Sequence, residues 1–298
     1  MYYLGLILNI KGRKKMEMHL DCVPCIQQQV LQASRLVTED EKLQERILRE
    51  VLEEILRSDW TTRTTIMATR TQQIIRNITG NDDPYSKPKA KYNQLALDMY
   101  PKLQQIVLKS DNPFITALKL SIAGNIIDFG ALRSFNIDHT INEVLNAPLT
   151  VDHSSILQKR IKKAFRIIYL ADNTGEIVFD KLFIQNILKI NPQVKITFVV
   201  KKNPFLNDAM LSDAIDIGMN SNEFIPQLEF YEVGPDRCDP DFITFLRTFD
   251  VVISKGQANF EDLKEFDFIF FLFIVKCKLV ASETNVPLGS TLVKINEE

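Results

Sequence analysis

The chain has 298 residues, 45% of them hydrophobic and 25% charged, with a formal net charge of -2. That length buries a large core and accommodates two domains, and the near-neutral charge gives no broad attraction for nucleic acid or an anionic membrane surface. The longest strongly apolar run, Phe268 to Val275, is far short of the ~20 residues that span a bilayer, so no membrane partner is expected.

Met1 to Ile10 is apolar and is followed by Lys11, Arg13, Lys14 and Lys15, the reverse of the order in a secretory signal. Residues 1–15 read as an N-terminal extension ahead of a start at Met16 or Met18; the other reading adds Tyr2 to Ile10 as an edge strand. The four cysteines, Cys22, Cys25, Cys238 and Cys277, are too few for a secreted disulfide scaffold, which points to the cytoplasm. Cys22 and Cys25 form a CxxC motif near His19, a candidate second metal or redox site. A second ligand pair at zinc-finger spacing is missing, and the alternative is a reduced or disulfide-linked staple at a helix start.

Up to about residue 120 the apolar periodicity is helical. Ile26, Val30, Ala33 and Val37 recur at steps of three or four, as do Leu43, Ile47, Val51 and Ile55, so each set lines one helix face. Thr38 with Glu41 fits a capping box, which predicts a helix start at about Thr38. Gly80 to Pro88 breaks the pattern before another helix near Lys89, and Asp111-Asn112-Pro113 predicts a further start with proline at the first helical position. Residues 16–120 are therefore expected to form a helical bundle domain, and residues 121–298 a catalytic α/β domain.

From about residue 160 short apolar runs alternate with amphipathic stretches, the signature of repeated βα units in a mostly parallel sheet. The predicted strands are Ile167 to Ala171, Ile196 to Val200, Phe230 to Val233, Val251 to Ser254 and Ile269 to Phe273, with Gly175 to Ile190 as the crossover helix after the first. Polar residues follow the strands. Asp172-Asn173-Thr174-Gly175-Glu176 follows the first, Lys201 to Asp208 the second, and Lys255-Gly256-Gln257-Ala258-Asn259-Phe260-Glu261 the fourth. In a parallel sheet these loops share one edge, where such folds bind ligands.

Asp172, Asn173 and Asp208 offer only oxygen donors, which suit a hard cation such as Mg²⁺ or Mn²⁺. Lys255 beside Gly256 offers charge and close backbone access, a seat for phosphate. Each feature has a plainer reading. Asp172-Asn173 or Asn207-Asp208 also suit a helix cap, the latter for a helix near Ala209, and Lys255-Gly256 an ordinary turn; their joint placement is what capping leaves unexplained.

These blocks resemble the signature of the metal-dependent damage-control phosphatases. The resemblance includes Asp180, Gly124-Asn125-Ile126-Ile127-Asp128, Asp83-Pro84-Tyr85 and Lys276-Cys277, and His19 to Cys25 is similar to the start of the stand-alone prokaryotic subfamily. It covers the chain from about Met18. It implies a helical domain joined to a Rossmann-like three-layer α/β domain with a parallel or mixed sheet, and one divalent metal, Mn²⁺, Ni²⁺, Co²⁺ or Mg²⁺. Asp172, Asn173 and Asp208 are then its expected ligands, Asp172 and Glu176 the catalytic residues, and Lys255, Gly256, Asn125, Asp128 and Asn207 the residues around a small phosphorylated metabolite such as a sugar phosphate. Whether water or the Asp172 carboxylate attacks phosphorus stays open. Two rivals are an S-adenosylmethionine-dependent carboxyl methyltransferase, although the first loop contains only Gly175 rather than a glycine-rich turn, and a noncatalytic sugar-phosphate binder.

Overall fold

A computed structural model of the chain describes residues 16–126, 137–221, 225 and 228–296. The predicted N-terminal extension and Asp128 lie outside the described residues.

The first three helices, α1 (Cys22–Val37), α2 (Glu41–Arg57) and α3 (Thr64–Thr79), pack around Ile26, Val30, Ala33, Ile47, Val51, Ile55, Met67 and Ile75. These include most of the residues that the helical periodicity singles out. The predicted cap is corrected by two residues. Thr38 ends α1, its N–H donating to Ser34 O, and Asp40 caps α2 by accepting from Lys42 N. α4 (Ser86–Lys109) starts three residues earlier than predicted, because Pro88 falls in a first turn that needs no N–H from it. α5 (Pro113–Ala123) starts as predicted, with the Asn112 side chain accepting from Ile115 N.

α4 and α5 lie against the sheet rather than only against the bundle. Ala96, Leu103, Phe114, Ala117 and Leu118 share one core with Ile167, Tyr169, Phe183 and Phe198. The expected domain boundary at residue 120 thus falls inside α5, which is part of that core.

After the 3₁₀ turn Gly124–Ile126 come α6 (Ile137–Asn146), β1 (Val151–Asp152), α7 (Ser154–Ile161), β2 (Arg166–Leu170), α8 (Glu176–Ile190), β3 (Lys195–Lys201), α9 (Leu211–Asp216), β4 (Leu228–Val233), α10 (Pro240–Leu246), β5 (Val251–Lys255), α11 (Gln257–Leu263), β6 (Ile269–Ile274), α12 (Lys278–Thr284) and β7 (Thr291–Ile295). Among the described residues seven strands form one sheet in the order β1-β7-β6-β5-β2-β3-β4, parallel throughout except for β7 against β6. All five predicted strands are present. β1 and β7 were not predicted: β1 has two residues, and β7 interrupts its apolar run with Lys294.

β2, β5 and β6 are buried along nearly their whole length, as central parallel strands covered on both faces must be. The chain runs outward from β2 through β3 to β4, then returns to β5 on the other side of β2. Ligands bind where the strand order reverses in this way. The crevice between the carboxyl ends of β2 and β5 is that place. Among the described residues no helix is long and apolar enough to cross a membrane.

Candidate active site

β2 ends at Leu170, and Asp172 and Asn173 follow it into this crevice. Backbone pairing fixes what stands opposite. Thr174 N donates to Asn207 O at 2.9 Å, Ala209 N to Asp172 O at 2.8 Å, and Asn173 and Asp208 form an antiparallel bridge. The loops after β2 and β3 are thereby joined, and Asp172, Asn173, Asn207 and Asp208 line one cavity of about 260 Å³. None of these residues caps a helix: α8 is preceded by Gly175 and α9 by Met210.

Three acids come together here. Asn125 Nδ2 donates to Asp172 Oδ2 at 2.8 Å and to Glu176 Oε2 at 2.6 Å; Asn173 Nδ2 donates to the same two oxygens at 2.8 and 3.4 Å. Two amides thus bracket two carboxylates. Burial, with the negative charges of Glu176 and Asp208 adding to it, pushes the Asp172 carboxyl well above its ordinary range. The positive charges of Arg237 and Lys276 offset this only in part, an environment that favours a proton or a cation there.

The glycine after β5 is explained by the same carboxylate. A Cβ on Gly256 would lie 2.0 Å from Asp172 Oδ2, and its φ of +81 is already one that side chains avoid. Gly256 N donates to Leu272 O, so this N–H is engaged within the sheet and does not seat phosphate. Gly256 instead makes room for Asp172.

Lys255 also departs from expectation. It is fully buried, and its Nζ donates to Glu176 Oε1 and Asp180 Oδ1, both at 2.6 Å, and to Ser121 O at 2.9 Å. All three ammonium hydrogens are spent, so Lys255 offers none to a phosphate. Burial alone would depress its pKa, but Asp180 and Glu176 outweigh that and hold it raised. Asp180, accepting also from Tyr169 Oη, is pushed up to about 7 by burial. Glu176 is buried behind Asp172 and touches it only through the two amides. It positions the site rather than facing the cavity.

Asp208 is held from the other side. Arg237 Nη2 donates to Asp208 Oδ2 at 3.0 Å and Nη1 to Asp262 Oδ2 at 3.3 Å, and Lys201 Nζ lies 3.6 Å from Asp208 Oδ2. Thr65 Oγ1 donates to Asp262 Oδ1 at 2.6 Å, tying α3 to α11 across the cavity. Sequence reasoning missed Arg237 and Asp262; it placed Lys201 in the loop after β3 and Asp180 in the family resemblance without giving either a role. Arg237 had a signal, since it follows β4 as Asp172 follows β2. Asp262 had none, because it is an interior helix position.

The remaining wall carries Lys276, whose Nζ donates to Asn125 O at 2.8 Å, with Glu261, Cys22, Cys25 and Cys277. Burial pushes Glu261 up to about 7 and raises the Cys25 thiol, so Cys25 is not poised as a thiolate. All four cysteines are free thiols. Among the described residues no three His, Cys, Asp or Glu side chains are arranged to hold a metal ion. A cation between Asp172 and Asp208 therefore needs the Asn173 amide or other oxygen donors to complete its shell, and the CxxC pair with His19 makes no three-ligand centre.

Residues 18–292 match the family model of the damage-control phosphatase ARMT1-like domain. An uncharacterised protein of Methanocaldococcus jannaschii is 32% identical over 97% of this chain and 98% of its own length. A damage-control phosphatase of Archaeoglobus fulgidus is 30% identical over 93% of the chain and 98% of its own. A crystal structure of a protein from Pyrococcus horikoshii, of the family catalogued as a domain of unknown function, superposes with a TM-score of 0.80 at 28% identity, covering 95% of this chain and all of that one.

Proposed function

Since the chain belongs to the damage-control phosphatase family, we propose that it removes phosphate from small phosphorylated metabolites, such as sugar phosphates, with a divalent cation held by Asp172, Asn173 and Asp208. The observation that carries this reading is the buried Asp172 carboxylate, crowded by Glu176 and Asp208 on the wall of an open cavity. The oxygen and amide donors suit Mn²⁺, Mg²⁺, Co²⁺ or Ni²⁺. A cation bound there supplies charge neutralisation for the ester's phosphate oxygens.

The chain's own residues do the positioning. Asn125 and Asn173 fix the rotation of the Asp172 carboxylate, and Lys255 with Asp180 fixes Glu176 behind it. Arg237 and Lys201 hold Asp208 against the opposite loop. Catalysis of phosphoryl transfer is mostly positioning and charge stabilisation, which such a braced set provides. The methyltransferase alternative would need an open glycine-rich turn after β2. Here the Gly175 N–H is taken by Asn93 Oδ1 at 2.7 Å.

Asp172→Ala and Asp208→Ala are each expected to eliminate metal-dependent phosphate release from p-nitrophenyl phosphate and to lower bound metal, while urea unfolding stays cooperative. Full activity in both variants would refute the assigned site.

A further inference from the structure

A second cavity, of about 120 Å³, lies beyond Phe205 and Thr65, the two residues that it shares with the first. Its chemistry is the reverse of its neighbour's. Arg76, Lys201 and Arg237 line it, with Thr69 and Asn203, and none of its lining residues is acidic. The cations are not matched. Among the described residues Arg237 pairs with Asp208 and Asp262, but Lys201 pairs only with Asp208, which Arg237 already uses. The Arg76 guanidinium donates to the carbonyl of Pro204, and its buried Nε has no acceptor among the described residues. A buried donor without a partner is destabilising, and an acceptor in the cavity would recover that loss.

We propose that this cavity is a seat for a phosphate or carboxylate group, held by Arg76 and Lys201 and separate from the site of Asp172 and Asp208. Charge-assisted hydrogen bonds to a guanidinium favour an oxyanion over a neutral ligand, and the volume suits one such group. Asp208 connects the two cavities, lining the first and contacting Arg237 and Lys201 at the second. The seated group comes either from the far end of a substrate that carries a second acid or from a free anion such as released phosphate.

Inorganic phosphate titrated calorimetrically into the metal-stripped protein tests the seat without reference to catalysis. Saturable binding is expected, weakened roughly tenfold or more in Arg76→Met, which removes the donor, and also in Asn203→Asp, which places a negative charge on the cavity's exposed rim. Absence of binding in the metal-stripped protein, or unchanged binding in both variants, overturns the proposal. A second arm rests on the phosphatase reading and identifies the source. If substrate fills the seat, Arg76→Met raises KM for an ester carrying a second acidic group and leaves p-nitrophenyl phosphate unaffected. If free anion fills it, Arg76→Met abolishes any noncompetitive effect of phosphate on p-nitrophenyl phosphate turnover. Phosphate binding that persists in a protein without phosphatase activity would sink the functional reading and leave the seat standing.

Discussion

Replacing Gly256 by alanine perturbs one atom at the point where β5 meets the Asp172 carboxylate. Gly256 has φ 81 and ψ 154, a region essentially restricted to glycine, in which another residue costs on the order of 1–3 kcal/mol. The added Cβ would stand 2.0 Å from Asp172 Oδ2, whereas real contacts stay beyond 3.0 Å, so the carboxylate must retreat by about 1 Å, the difference of the two. That movement stretches the hydrogen bonds from Asn125 and Asn173, each 2.8 Å long, at about 1 kcal/mol apiece. The reduced entropy of the unfolded alanine chain offsets less than about 1 kcal/mol. A net destabilisation of roughly 2–4 kcal/mol is expected. Urea unfolding followed by circular dichroism should show a lower midpoint with unchanged slope. Misplacing a group at the reacting centre by about 1 Å costs on the order of 100-fold, so kcat/KM for p-nitrophenyl phosphate at saturating metal should fall by about that factor. A Gly256→Ala enzyme as stable and as active as the wild type would refute the reasoning.

Lys255→Met leaves Glu176 and Asp180 buried without their shared cation; a loss of about 3–5 kcal/mol is expected from urea unfolding, and a loss under about 1 kcal/mol would show that Lys255 does not brace the site. Glu261→Gln tests the buried carboxyl on the cavity wall, whose pKa burial raises to about 7 from 4.5, with Asp262 adding to the rise and Gln257 and Arg237 opposing it. Between those values the unfolded chain has lost a proton that the folded one keeps, so wild-type stability declines as pH rises from about 4.5 to 7 and the penalty is complete above that. The variant should match the wild type near pH 4 and exceed it at pH 8 by on the order of 3 kcal/mol. Equal stability at both pH values would show that Glu261 ionises normally.

The helix faces and the five predicted strands, β2 to β6, were legible because their signals are local. Ile26, Val30 and Ala33 repeat at the helical period, and Ile167 to Leu170 form an unbroken apolar run. The placement of Asp172 and Asp208 was legible one step further on, since parallel strands deliver their following loops to one edge. The start of α2 was misread by two residues because Thr38 and Asp40 both carry capping oxygens, and only the packing of α1 decides which of them begins the next helix. β7 escaped because it pairs antiparallel at the sheet's periphery and carries polar positions that no apolar run reveals.

Residue types and strand periodicity by themselves determined the α/β class, the edge at which polar chemistry collects and the oxygen character of the donors. Tertiary structure alone decided the roles of individual side chains. Lys255 read as a charge beside a glycine and proves to be spent on Glu176, Asp180 and Ser121, because β5 is a central strand with both faces covered. Gly256 read as close backbone access to phosphate and proves to be space for a carboxylate. Arg237, Asp262 and Arg76 come from three separate elements, and their convergence depends on how α3 docks beside the ends of β3 and β4. Local sequence specifies which groups leave a strand end; the docking of distant elements specifies which charges they meet and which of them stay unmatched.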